Sequence, residues 1–183
     1  MPGIFENCQF INEGLLDRFK KPKIANKVPK AESITHTEYM QMLDNMQSIF
    51  NELTKVLQAI QSEYKQYFVD HIKYGKEDIR HWRRRANSNQ PMQPLIECAL
   101  ESTYDDYLGD DILNDMNERF VSTIKNLGFE LDDYYTDEEN GLFGRLDTLS
   151  NEQYPYISIL VKHDYRYNYI YIEVYCTSRI IIK

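Results

Sequence analysis

Carboxylates gather in four places along this chain: Asp105-Asp106, Asp110-Asp111 with Asp115, Asp132-Asp133, and Asp137-Glu138-Glu139. A metal-dependent nuclease needs such groups to converge on one point, commonly from strand ends and with a lysine nearby. Here most fall at helical positions or in a turn. Asp110, Asp111 and Asp115 suit a helix N-terminus, where negative charge is favoured. No EF-hand loop is spelled out, because a Gly at the sixth position and a Glu at the twelfth do not occur together. His36, His71, His81 and His163 are scattered and make no HxxxH, HExxH or Cys–His zinc pattern. Neither a Walker loop nor GxGxxG is present. Cys8, Cys98 and Cys176 are far apart and odd in number. They read as isolated thiols in a reducing compartment, not as a disulfide framework. No positioned base marks Cys8 as a nucleophile. These residue types predict no enzyme, no metal and no cofactor.

One run has the chemistry of an anionic-ligand patch: Arg80, Trp82, Arg83, Arg84 and Arg85, with His81 among them. Cations would meet phosphate and the indole would stack on a base. The same cations also suit a helix C-terminus, and Glu77 and Asp78 dilute them. The whole chain carries a net charge of −8, and one patch supplies few phosphate contacts. Nucleic acid is therefore the less favoured partner. The acidity is concentrated in residues 91–150, which hold fifteen acidic against three basic side chains; residues 1–30 carry six basic against three acidic. An acidic segment of this kind, 97–147, can meet a basic surface.

Fifteen residues are tyrosine, and seven of them fall between Tyr154 and Tyr175. Alternating tyrosines on a hairpin give amphipathic faces that serve in a sheet core or at a protein contact.

The elements that position these groups begin with a long apolar stripe. Tyr39, Met46, Leu53, Ile60, Tyr67 and Tyr74 recur every seven residues, and a second row follows three or four behind, with no Pro or Gly before Gly75. Such spacing describes one face of an α-helix. The expectation is a long amphipathic, coiled-coil-like helix over 35–85, capped at Thr35 with Glu38 in the capping-box position. The stripe from Tyr39 to Tyr74 alone would reach about 55 Å. Tyr39, Met46, Leu53, Ile60 and Tyr67 are the expected seam toward a second copy or another partner.

Residues 1–34 read as an N-terminal arm, ending in the Lys/Pro linker KKPKIANKVPK. Residues 94–183 read as an α+β domain. A helix is expected from Pro94 to Leu108, then another capped by Asp110 and closed by Gly128. Strands are expected near Phe129, at 156–161 and 169–175 as an antiparallel hairpin, and at Ile180–Ile182 as a short edge. The predicted class is α+β: helices packed on a small antiparallel sheet. No apolar run is long enough to cross a bilayer, so no membrane partner is expected.

The most specific short string is Phe10-Ile11-Asn12-Glu13-Gly14, behind an apolar leader. It resembles the capsid-targeting end of internal head proteins in T-even-type tailed phages, where a prohead protease cuts after the Glu of Ile/Leu-x-Glu before a small residue. The resemblance covers about the first fourteen residues. It implies that Ile11 and Glu13 are recognised and that Gly14 becomes the new N-terminus. A near match at Leu95-Ile96-Glu97-Cys98 has Cys where a small residue is expected. The chain is thus expected to be a non-enzymatic virion component, present in the host cytoplasm during assembly. Its expected partners are its own copies and other virion proteins. The alternative is a soluble intracellular inhibitor or regulator whose 97–147 segment binds a basic partner.

Overall fold

Thr35 starts the first helix in the way its neighbours dictate. Its backbone N–H and hydroxyl both donate to Glu38 Oε2, at 2.7 and 2.8 Å, and the Glu38 N–H donates back to its Oγ1 at 3.2 Å. The capping box is complete, and α1 runs His36–Glu63. The computed structural model describes residues 31–103, 108–132, 145–164 and 169–183.

After Tyr64 the expected helix stops, well short of residue 85. Phe68 bridges to Ser102, and β2 (Lys73–Tyr74) pairs with β3 (Leu95–Glu101). This β-branched and aromatic stretch is drawn into an extended path because it satisfies the backbone edge of β3. A separate short helix, α2 (Ile79–Arg85), follows, with Asp78 accepting from the His81 N–H at 2.9 Å.

The segment from Pro94 is a strand, not the expected helix. LIECALE alternates, and Ile96, Cys98 and Leu100 are all buried. Paired on both sides, β3 is interior to the sheet, and tertiary pairing outweighs the local helical reading. The next helix, α3 (Asp110–Asn126), starts from Gly109, so Asp110 lies in its first turn and not at its cap. Gly128 ends it at φ 85°, with the Phe129 N–H reaching the Ile124 carbonyl at 3.1 Å. Leu131 makes a single bridge to Thr148.

β4 (Arg145–Asp147), β5 (Ile157–Asp164) and β6 (Tyr169–Cys176) complete a five-stranded antiparallel sheet of order β2-β3-β6-β5-β4. The expected hairpin is β5–β6, in register from Ile157↔Cys176 to Asp164↔Tyr169. The expected edge strand is β7 (Arg179–Ile182). It pairs in parallel with β1 (Ala31–Ile34), so the end of the expected N-terminal arm is a strand of the folded unit. Met92 exchanges backbone hydrogen bonds with Ile180 on the other side of β7, at 2.6 and 2.8 Å. The class is α+β.

Alternation sends Ile96, Cys98, Leu100, Ile170, Ile172 and Val174 toward α1. All lie in one buried cluster with Leu53, Leu57, Phe120 and Ile124. Tyr39, Met46, Leu53 and Ile60 are each 0% exposed. The expected seam is therefore covered by the chain's own sheet and by α3, because the apolar sheet face needs the same stripe that a partner would. Tyr67 lies beyond the helix end, half-buried against this core. Residues 31–183 form one compact unit, so helix and sheet are not separate domains.

Candidate functional site

The face of the sheet turned away from α1 carries a grouping of polar and aromatic side chains. It is built by alternation alone: every second side chain of β3 and β6 points to it. Register aligns these side chains in rows. One row is Glu101, Tyr169 and Asp164; the next is Ala99, Tyr171, Lys162 and Arg145; a third is Glu97, Glu173, Leu160 and Asp147.

At one end, Lys73 bonds to Glu101 and to the Tyr169 hydroxyl, the latter at 3.3 Å, and stands 5.3 Å over the Tyr169 ring. The Glu101 bond holds the Lys73 ammonium above its ordinary range and the Glu101 carboxyl below its own. Tyr169 and Tyr171 lie side by side, centroids 5.6 Å apart. At the other end, buried Asp147 accepts from the Tyr175 hydroxyl at 3.0 Å and from Arg145 at 2.7 Å. Burial pushes the Tyr175 hydroxyl well up, and the Asp147 charge adds to it. Burial likewise raises Tyr171, with Tyr169 and Asp164 adding to it. Lys162 reaches Asp164 at 3.1 Å.

Tyr171 and Tyr175, both held above the ordinary tyrosine range, stay protonated at neutral pH and can serve as hydrogen-bonding and stacking groups. Tyr and Arg anchored by neighbours are the side chains that dominate protein contacts. The sequence pointed to the tyrosines. It did not bring Glu97, Glu101, Lys73, Arg145 and Asp147 together: Glu97 and Glu101 had the alternation of LIECALE as a signal, and Lys73, Arg145 and Asp147 are placed by strand pairing alone.

The anionic-ligand patch is not assembled as expected. Trp82 is 4% exposed, and its indole N–H donates to the Leu95 carbonyl at 2.9 Å. Such a ring cannot stack on a base. Arg85 lies 5.4 Å from that ring, Arg83 is paired with Asp44, and Arg80 with Asp78 at 2.6 Å. Arg84 is exposed. The indole thus anchors α2 to the core, while Arg80 and Arg83 turn to separate acidic neighbours and Arg85 to the indole itself. The expected processing residues Ile11, Glu13 and Gly14 lie outside the described residues, as do Cys8, Asp105-Asp106, Asp133 and Asp137-Glu138-Glu139. Among the described residues no three His, Cys, Asp or Glu side chains are grouped to hold a metal, and no helix is long and apolar enough to cross a membrane. No protein-family model matches this chain, and neither a curated protein nor a solved structure does so.

Proposed function

We propose that this chain is a non-enzymatic, head-associated component of a tailed-phage virion that works through protein–protein contacts, with the outer sheet face as a contact surface. One observation carries the mode of action. Helix α1 packs on one side of the sheet, while the other side carries Tyr169, Tyr171 and Tyr175 beside anchored charges. The virion context is supported by the Phe10–Gly14 string behind its apolar leader and by the likeness of that end to phage head proteins. A coiled-coil seam is not part of the proposal, since Tyr39, Met46, Leu53 and Ile60 are spent on the internal core.

The test is the intact mass of the protein from purified particles, together with the copy number of a Tyr169→Ala/Tyr171→Ala variant. A chain starting at Gly14 and a variant that folds but is depleted from particles are the expected results. A chain of full length, absent from particles, would refute the reading. Tight, salt-sensitive binding of that soluble chain to one basic protein would instead support the inhibitor alternative.

A further inference from the structure

A groove of 530 Å³ lies between the start of α1 and residues 152–157, within the size range of ligand sites. Its floor is apolar: Ile34, Met42 and Ile157 are all buried. Its rim carries the carboxylates of Glu38 and Glu152 and the carboxamides of Gln41 and Gln153, and among the described residues no Lys, Arg or His lines it. The lining is thus complementary to a cation with an aliphatic stem.

The strand that feeds the groove is an edge. β1 pairs only with β7 among the described strands, and the Lys183 N–H donates to the Ile34 carbonyl at 2.9 Å. That bond fixes which peptide groups face β7. By alternation, the N–H and C=O of Ala31 and Ser33 point the other way. An edge left open among the described strands, beside a groove, is the geometry that accepts an extended peptide. Tyr156, on the groove wall, holds φ 70°, a backbone rarely adopted by a bulky residue. Its carbonyl accepts from the Thr177 N–H at 2.7 Å, which locks the wall in place.

From charge and edge together, we infer that this groove binds a short, extended, basic segment of a partner protein. The segment adds its backbone to β1, lays an aliphatic stem over Met42 and Ile157, and sets its cation between Glu38 and Glu152. This goes beyond the outer-face contact and stands independently of it.

The test is fluorescence anisotropy of the full chain with a labelled, capped Arg-Val-Lys-Ile-Arg-Val peptide, and with Glu-Val-Asp-Ile-Glu-Val as its acidic counterpart. Saturable binding of the basic peptide alone is expected, weakened at least about tenfold by Glu152→Lys, a change at an exposed position. Amide exchange at Ser33 should slow when the basic peptide is added. A thermal melt confirms that the variant is folded. Equal binding of both peptides, equal binding by the Glu152→Lys variant, no saturation, or an unprotected Ser33 amide would each overturn the inference.

Discussion

At the scale of single residues, buried hydroxyls and carboxylates carry the sharpest consequences. Tyr39 is fully buried, donates to the Trp82 carbonyl at 3.2 Å, and has its hydroxyl pushed up to about 12, chiefly by burial. The folded state therefore disfavours the phenolate. Tyr39's contribution is intact below pH ~10, the ordinary tyrosine value, and is lost as pH climbs through the window up to about 12. Buried Cys98 and Cys176, raised to about 12 and about 11, act in the same direction. Denaturant titrations at pH 8 and pH 11.5 should show the loss. Tyr39→Phe should cost about 1 kcal/mol at pH 8 and flatten the alkaline decline; a decline of unchanged depth would show that Tyr39 is not its source. Asp147→Asn weakens the anchor of Arg145 and Tyr175 and should cost about 1–3 kcal/mol, read as a lower melting temperature.

Elements respond to their boundaries and to what covers them. Thr35→Ala removes one half of the α1 capping box and should cost about 1 kcal/mol in denaturant stability. Leu53 sits in the middle of the stripe at 0% exposure. Leu53→Ala should cost about 3 kcal/mol with a cavity left behind. Leu53→Asp should unfold the chain outright, with circular dichroism and light scattering changing together. A folded Leu53→Asp monomer derived from a wild-type oligomer would restore the seam. Gly128→Ala should cost about 1 kcal/mol, because α3 closes on a left-handed φ that a Cβ opposes.

For the molecule as a whole, the two faces of one sheet divide the labour. One face and α1 make the core; the other offers tyrosines and paired charges. Tyr169→Ala/Tyr171→Ala should therefore shift the melting temperature little while reducing any association through that face. Surface changes away from the core usually stay within about 0.5 kcal/mol, and the half-burial of these rings makes about 1 kcal/mol a fair ceiling. A loss of several kcal/mol would mean that the rings hold the sheet together and are not reserved for a partner.

Local pattern determined much of this protein by itself. The capping box at Thr35, the helix His36–Glu63 that carries the first part of the stripe, the Gly128 terminator and the β5–β6 hairpin were legible, because each depends on residues near in sequence. The tyrosine-rich face was legible in the same way, from alternation. What tertiary structure decided was where elements stop and which partner covers them. Phe68 to Tyr74 leaves the helix because an edge of β3 needs backbone partners, and Leu95–Glu101 is a strand because two neighbours pair with it. The heptad stripe specifies an apolar face but not its cover, since burial energy scales with area and is indifferent to which chain supplies it. Trp82 reads as a stacking group until the fold turns it inward to the Leu95 carbonyl.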